Sequence, residues 1–595
     1  MRHARLLSRL PFALAAAFAV LVSGLPGAAA ADPPVPLTPP TVTATYKGEV
    51  IQNCWDQQSC PKTVVLGEAA TFTFAPTSAD VTKYTYRLPG GNPVTVEGAS
   101  VTVDIEPLQQ GRTNLQVSSI NSIGQPSNPT YFMFNVAAPP GPVGSWNFDE
   151  GSGTTAADGP GLTHPLALSG AAFEASGRIN GALALDGVDD YASATEAVVD
   201  TSKSFSISTW ARPANPSKLG VIASVNGANS SAAGLGYDPA AKRWVFARSS
   251  ADVRNPTIYR AVSKDAPVNE SWSQLIATYD ATSGTLKLYV NGRLQQETVS
   301  PPANAWKASG TLSVGRGLLG GITGGHFRGS LDHLQIWQRV LRPEELVALQ
   351  TPRPDDAVAT AVAAHWPLDN ATRGTDRIWR SPDSIRDADL SVSGFPGTDQ
   401  SKAFVDDPEH GKVLELTGAT RESVSLGRPV VDASASFAVA VWVKIADPSK
   451  PATIIRQGTG TSDTWRLSYE PGDEYSTTWN FTRTNVDGTE TTASGSADRE
   501  SVDPGQWHLL VGEYRAQDTG VVGAPSGSIY LSIDHHTKAV ADFTAPRRDG
   551  STTLGKPGTT GAPFAGRLDD VRIYVGDLSP TSLCADYPDP RSCAN

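Results

Sequence analysis

Two aspartates are the residues of this sequence with the clearest potential for chemistry. Asp332 lies in the segment FRGSLDHLQIW (327–337), and Asp569 lies in the related segment FAGRLDDVRIY (564–574). Side chains alternate between the two faces of a strand, so a strand with Leu334 facing the core also places Asp332 there. The same alternation places Asp569 inward. A buried carboxylate needs a cation or N–H donors, and we expect one or the other at each aspartate.

A second candidate site is an indole on the non-core face of a strand. In SFSISTW (204–210), Trp210 shares its face with two serines, and Tyr289 points outward from LKLYV (286–290). An aromatic ring beside small residues can pack on the apolar face of a pyranose. Trp210 and Tyr289 are therefore predicted to form a stacking surface for a ligand. The alternative is that a crossing loop or a neighbouring domain covers the indole.

The sequence contains no motif that we recognise as catalytic. It lacks a Gly-x-Ser-x-Gly elbow, a His-Glu-x-x-His helix, a Walker loop and the Glu-x-Asp-x-x-Glu strand of jelly-roll glucanases. The acidic clusters at 186–190 and 569–570 lie at turns or strand ends, where Asp-Gly and Asp-Asp are ordinary. His535-His536 is expected at an exposed hairpin tip, with metal binding as the alternative. These observations favour a binding protein over an enzyme.

The composition is that of an exported, turn-rich β protein. The 595 residues include 55 Gly and 45 Pro, and the net charge is −12. An acidic chain without a Lys/Arg cluster disfavours nucleic-acid binding. Residues 1–31 have the pattern of a secretory signal peptide, with an apolar run from Leu10 to Val22 and small residues before Asp32. Later apolar segments are too short to span a bilayer, so we expect a secreted, extracellular protein without membrane insertion.

Two proline-rich segments mark the first domain boundaries. The segments are a linker at 32–40 and AAPPGP (137–142). The stretch between them alternates apolar and polar residues in short runs separated by Gly, Pro and Asn. This pattern predicts a β-sandwich of the immunoglobulin or fibronectin III kind over residues 41–138.

An internal repeat occupies the remainder of the chain. SFSISTW (204–210) returns as SFAVAVW (436–442), and WSQLIATYD (272–280) returns as WHLLVGEYR (507–515). Each copy closes with a Leu-x-Pro segment that predicts a short helix. The blocks define a first repeat (142–352) and a second repeat (360–580), followed by a tail at 581–595.

The order and spacing of these blocks resemble the laminin G-like, concanavalin A-like jelly-roll family. The first repeat keeps the family's block GALALDGVDDY (181–191) and the Asn291-Gly292 turn. The second repeat has TGATRE and Asp534-His535 instead. The resemblance implies an all-β chain with two jelly-roll sandwiches after the Ig-like sandwich.

The resemblance also implies calcium. In this family, the strand that carries Asp332 often helps to hold a structural calcium ion together with residues of the first strand. The implied ligands are Asp149, Glu150 and Asp332 in the first repeat, and Asp369 and Asp569 in the second. Oxygen ligands of this kind suit a hard cation. A carboxylate held by loop N–H groups is the alternative.

These patterns predict a secreted, non-catalytic protein that binds carbohydrate or a cell-surface or matrix protein. The alternatives are a glycoside hydrolase or lyase with unrecognised catalytic residues, and a purely structural or adhesive surface protein. The first repeat keeps the longer loops, including GRGLLGGITGGHF (315–327), and is expected to carry the ligand site.

The four cysteines predict two local disulfides, Cys54–Cys60 and Cys584–Cys593. An exported chain meets an oxidising compartment, and neither pair has a nearby His at zinc-ligand spacing. Peptide mapping without reduction should therefore recover both linked pairs. Free thiols at Cys584 and Cys593 in the exported protein would contradict the second pairing.

Overall fold

The computed structural model describes residues 37–588 with gaps. The regular secondary structure of this part is almost entirely β-strand, as predicted. The gaps are at 56, 58, 176, 215–217, 265, 350–360, 386–387, 448, 472–476, 497–505, 517–526, 544–549, 559–561, 577 and 579. The predicted signal peptide and Cys593 lie outside the described residues. Within them, no helix combines the length and apolar character needed to cross a membrane. The chain divides into two compact units, residues 1–139 and 140–595.

The N-terminal unit is a sandwich of two sheets. One sheet has the order β2-β1-β4-β7 and the other β3-β9-β8-β5-β6, with β3 parallel to β9. Alternate aromatic residues of β4 and β9, such as Phe72 and Phe132, fill the core. The immunoglobulin-like class of this sandwich stays a prediction. Its strands are β1 (Thr41–Tyr46), β2 (Glu49–Ile51), β3 (Thr63–Val65), β4 (Ala70–Ala75), β5 (Val81–Arg87), β6 (Val94–Glu97), β7 (Val101–Ile105), β8 (Gly111–Asn121) and β9 (Thr130–Ala137).

The first repeat is a sandwich of two eight-stranded sheets. Its front sheet has the order β13-β14-β27-β16-β21-β22-β23, with β10 also on β27, and its back sheet has the order β11-β12-β15-β24-β17-β18-β19-β20. The strands are β10 (Gly144–Trp146), β11 (Thr155–Ala156), β12 (Leu166–Ser169), β13 (Ala172–Glu174), β14 (Ala182–Asp186), β15 (Tyr191–Ser193), β16 (Phe205–Pro213), β17 (Gly220–Asn226), β18 (Ser231–Asp238), β19 (Arg243–Ser249), β20 (Ile258–Val262), β21 (Ser273–Asp280), β22 (Thr285–Val290), β23 (Arg293–Val299), β24 (Leu312–Val314), β25 (Gly317–Leu319), β26 (Ile322–Gly324) and β27 (Arg328–Trp337).

The second repeat has the same plan. Its front sheet has the order β32-β33-β44-β35-β40-β41-β42, with β28 also on β44, and its nine-stranded back sheet has the order β29-β30-β31-β34-β43-β36-β37-β38-β39. The strands are β28 (Ala361–Trp366), β29 (Thr372–Arg373), β30 (Trp379–Ser381), β31 (Leu390–Ser393), β32 (Phe404–Asp407), β33 (Gly411–Thr417), β34 (Ser423–Ser425), β35 (Phe437–Ile445), β36 (Ala452–Gly458), β37 (Asp463–Pro471), β38 (Thr477–Thr484), β39 (Glu490–Ser496), β40 (His508–Ala516), β41 (Gly527–Ile533), β42 (His536–Phe543), β43 (Ser551–Leu554) and β44 (Ala565–Val575).

Short helices follow the last strand of each repeat, as the Leu-x-Pro segments predict. They are α1 (Pro343–Ala348) and α2 (Pro580–Asp586), and two 3₁₀ turns lie at Pro302–Asn304 and Gln400–Ala403. Leu346 of α1 packs with Trp337, and Leu583 of α2 packs with Tyr574. Each helix thus covers part of the outer face of the front sheet.

A loop of the second repeat docks on the first repeat. The backbone N–H of Asp432 donates to the Ser271 hydroxyl at 2.8 Å, and the Asn291 amide donates to the Asp432 carboxylate at 3.1 Å. Asn291 is only 5% exposed. The Asn291-Gly292 turn therefore lies at the contact between the repeats.

The two repeats differ at the residue that accepts this N–H bond. Both contain a Val-Val-Asp loop in which the aspartate accepts bonds from a serine two residues on, Asp200 in one and Asp432 in the other. The N–H of Asp200 is satisfied within its own repeat by Gln338. In the second repeat, Val575 stands at the position of Gln338 and offers no side-chain acceptor. The Asp432 N–H donates to Ser271 of the first repeat instead.

We predict that Ser271→Ala loosens the junction between the repeats. The change leaves the buried N–H of Asp432 without its acceptor, at a cost of about 1–3 kcal/mol. In differential scanning calorimetry, the variant should unfold the repeats in two separated transitions. Gln338→Ala is the matched control, because it removes the equivalent acceptor inside the first repeat and should leave the junction intact. A single shared transition in both variants would count against this role of Ser271.

Candidate functional site

Asp332 and Asp569 lie on the outer side of their strands, opposite to the predicted face. Trp210 pairs directly with Asp332 across β16 and β27, and the register shifts by one residue just beyond this pair. The extra residue is His333, whose φ of 48° is left-handed. Such a bulge reverses the alternation. Asp569 pairs with Trp442 in the same way. The predicted inward orientation is therefore wrong, although both aspartates are buried.

Nitrogen donors hold both buried carboxylates. Asp332 accepts the backbone N–H of Ile179 at 2.8 Å and lies 2.6 Å from the ring nitrogen of His333. Asp569 lies 2.9 Å from Nδ1 of His410. Burial raises the pKa of both carboxyls, and the histidine contacts offset this only in part. The Ile179 contact of Asp332 is of the kind given above as the alternative to calcium, in which loop N–H groups hold the carboxylate.

The other residues implied as calcium ligands do not complete a site. Asp149 accepts the N–H of Gly181 at 2.9 Å, Glu150 accepts the N–H of Ala157 at 2.6 Å, and Asp369 is exposed. Across the described part of the chain, the one group of three ligating side chains within 4.8 Å of one another is Asp186, Asp189 and Asp190. Backbone carbonyls also serve as calcium ligands, and calcium at the implied residues stays a prediction.

The predicted stacking surface is covered. The indole of Trp210 is 8% exposed, and the Arg178 guanidinium lies 4.6 Å from its ring centre. Trp210 and Trp272 also belong to one apolar cluster with the core of the second repeat. Tyr289 is half-buried against residues that include Leu346 of α1. The expectation of an open surface is therefore corrected: the neighbouring repeat, Arg178 and α1 cover it.

One predicted disulfide is present in the N-terminal unit. Cys54 and Cys60 are bonded, with their Cα atoms 5.3 Å apart. Cys593 lies outside the described residues, so the pairing of Cys584 with Cys593 stays a prediction.

A polar groove on the outer face of the back sheet of the second repeat is the feature that the sequence analysis missed. Its volume is about 360 Å³. Strands β37, β38 and β39 place their inward residues in the core and their outward residues in the groove. The Ser494 hydroxyl donates to Asn480 at 2.7 Å, and the hydroxyls of Thr482 and Thr492 lie 3.0 Å apart. The outward side chains are Arg466, Ser468, Glu470, Asn480, Thr482, Glu490, Thr492 and Ser494.

A chain of ion pairs runs into this groove. Buried Arg456 contacts Asp463, and Asp463 lies 3.5 Å from Arg466. Arg466 crosses β38 to make two bonds with Glu490, at 2.6 and 2.8 Å. The hydrogen bonds from Arg466 hold the pKa of Glu490 below its ordinary value. Arg466 is therefore committed to carboxylates of the protein itself.

The corresponding groove of the first repeat is mainly apolar, with one ion pair between Arg260 and Asp238. It holds about 180 Å³ beside the β25–β26 hairpin and is lined by Val245, Ala247, Ile258 and Leu319, among others. The strand pairing places Trp244-Val-Phe-Ala-Arg248 of the first repeat at the positions that Trp479-Asn-Phe-Thr-Arg483 occupies in the second. The two repeats thus keep the same inward residues and differ outward.

Comparison of the sequence with known families agrees with this architecture. The family described as the concanavalin A-like lectin/glucanases superfamily, of laminin G type, matches residues 186–347 and 418–584, more than half of the chain. The chain belongs to this superfamily. The match confirms that both repeats are its jelly rolls. No curated protein matches the chain significantly.

Solved structures resemble parts of this superfamily member only distantly. Domain 4 of AbnA, an extracellular arabinanase from Geobacillus stearothermophilus in complex with arabinotriose, is 17% identical, with 35% of this chain and 98% of that one covered and a TM-score of 0.27. The CBM40 of Ruminococcus gnavus IT-sialidase bound to α2,3-sialyllactose is 15% identical, with 25% and 82% covered and a TM-score of 0.22. The binding domain of botulinum neurotoxin DC in complex with rat synaptotagmin II is 11% identical, with 74% and 99% covered and a TM-score of 0.32. Such scores carry no conclusion about this chain.

A chelator should leave the melting temperature of the jelly rolls unchanged. The N–H groups of Ile179 and Gly181 already donate to the carboxylates of Asp332 and Asp149, so we expect removal of calcium to cost no stability there. Calorimetry of the whole chain with calcium and with excess chelator provides the measurement. A fall of several degrees that Asp332→Asn abolishes would instead establish a calcium site, because an ion bound only to the folded state stabilises it by mass action.

Proposed function

We propose that the second repeat binds carbohydrate in the polar groove of its back sheet. The observation that carries the proposal is the set of hydroxyl and amide side chains on three adjacent strands. Sugars present neighbouring hydroxyls that both donate and accept hydrogen bonds, and Ser, Thr and Asn side chains do the same. The family to which the chain belongs includes lectins by its description, which supports the proposal.

The groove is built on a rigid support. Trp465, Trp479 and Phe481 are completely buried directly beneath the outward residues. A ligand therefore meets side chains on a sheet that folding has already ordered, and binding loses less entropy than it would on mobile loops. Ser468, Thr492 and Ser494 are the accessible hydroxyls, whereas Asn480 and Thr482 lie deeper.

We propose binding without catalysis at this groove. Glycoside hydrolysis needs a carboxylic acid whose pKa is raised, so that it can protonate the leaving group. Glu490 has a lowered pKa and is held by Arg466. The signal-peptide pattern of residues 1–31 supports a role outside the cell, where the partner would be a free or surface-bound glycan.

The test replaces one cross-strand pair of the second repeat by the pair that the first repeat has at the equivalent place. Asn480 pairs with Ser494 in the second repeat, and Val245 pairs with Val262 at the equivalent place in the first. The double variant Asn480→Val/Ser494→Val keeps a pair that this fold already contains, so it should fold. It should weaken glycan binding roughly tenfold or more, because two hydrogen-bonding groups are lost.

A glycan array followed by calorimetric titration of the whole chain provides the measurement. The reciprocal variant Val245→Asn/Val262→Ser is the control, and it should leave the original binding unchanged. The proposal fails if no glycan binds, or if the Asn480→Val/Ser494→Val variant binds as well as the natural chain. Capture of a protein by the groove, without glycan, would point to the matrix-protein alternative.

A further inference from the structure

The only cationic side chain that lines the described part of the groove is already paired. Arg466 makes two hydrogen bonds to Glu490 and lies 3.5 Å from Asp463. Its side chain is 17% exposed, while that of Glu490 is 42% exposed. A ligand in the groove therefore meets the carboxylate of this pair more readily than the guanidinium.

The groove lining carries an excess of negative charge. Among the residues that the structure describes, its charged residues are Arg466, Glu470 and Glu490, which is one positive and two negative formal charges. The positive charge of Arg456, deeper in the chain of ion pairs, is matched by Asp463. An anionic sugar would have to displace Glu490 from Arg466 and would also face Glu470, and like charges brought together weaken binding.

The fold itself does not require this ion pair. In the first repeat, Gly234 stands at the position of Arg466, and Ile258 stands at the position of Glu490. The same jelly roll therefore forms without either charge. The groove of the first repeat holds a different ion pair, Arg260 with Asp238 at 3.3 Å. The Arg466–Glu490 pair is therefore particular to the groove of the second repeat, where it can affect which ligands bind.

We infer that the ion pair Arg466–Glu490 makes the groove of the second repeat selective for neutral saccharides and excludes uronic, sialylated and sulfated ones. The inference rests on the proposed carbohydrate binding and extends it to a substrate class. Glu490 acts as the specificity-determining residue: it occupies the guanidinium that would otherwise bind an anionic sugar, since a planar guanidinium is well suited to bidentate recognition of a carboxylate or sulfate.

The experiment is a glycan array that carries neutral gluco-, manno-, xylo- and arabino-oligosaccharides beside oligogalacturonides, sialylated and sulfated oligosaccharides. The whole natural chain should bind within the neutral class. The variant Glu490→Gln keeps an acceptor oxygen for Arg466 but removes the charge, and it should gain binding to the anionic class by roughly fivefold. That gain should disappear in about 0.5 M NaCl, because salt screens exposed charges.

Glu470→Gln is the matched control. It removes one negative charge from the same groove but releases no cation, so its gain toward anionic glycans should be clearly smaller than that of Glu490→Gln. The melting temperature of each variant separates a structural role of the pair from a role in selection. A lowered melting temperature of Glu490→Gln with the same glycan preference would overturn the inference.

Failure of the inference and failure of the proposed function give different results. If the natural chain binds anionic glycans as well as neutral ones, the groove binds carbohydrate but the inference is overturned. If no glycan of either class binds, the proposed function fails and the inference fails with it. If Glu490→Gln binds as the natural chain does, the pair does not select the ligand.

Discussion

The alternation of side chains along β37, β38 and β39 is the constraint on which both the fold and the candidate site depend. Trp465, Trp479 and Phe481 must be buried to fill the core of the second repeat, so the residues between them must face outward. The groove is thus the outer half of the same strands that build the core. The described side chains of the groove take their positions from the packing of these strands.

The repeated sequence blocks predicted the architecture because they record the inward pattern of each strand. Strict alternation of side chains along a strand predicted the wrong face for Asp332 and Asp569. A residue inserted into β27 and β44 shifts the phase of the alternation, and the left-handed φ of His333 and of Asp570 is the structural sign of that shift. Neither residue is a glycine, the residue that adopts this conformation most readily, so strict alternation was assumed through the bulge. Burial was predictable from the pattern, but the face was not.

The sequence-based prediction of a ligand site differed from the structure in two ways. The face of Trp210 followed from its strand, yet the cover over it comes from residues far away in the chain, which periodicity cannot reveal. The polar groove, by contrast, was visible in the sequence. Comparing the repeats strand by strand sets Val245 against Asn480 and Ala247 against Thr482. A search for aromatic and acidic residues passes over such a change, because hydroxyl and amide groups are also common on solvent-exposed strands.

The docking contacts and the polar groove lie in different parts of the duplicated fold, and this separation allows the outward residues of the repeats to differ. Docking involves the loop around Asp432 and the first-repeat residues Ser271 and Asn291, whereas the groove lies on the back sheet of the second repeat. Most substitutions at outward positions away from packed contacts change stability by only about 0.5 kcal/mol. Exchanging Val for Asn or Ile for Glu on that surface therefore leaves the core and the junction intact. The groove can acquire a new chemistry while the inward residues continue to specify the fold.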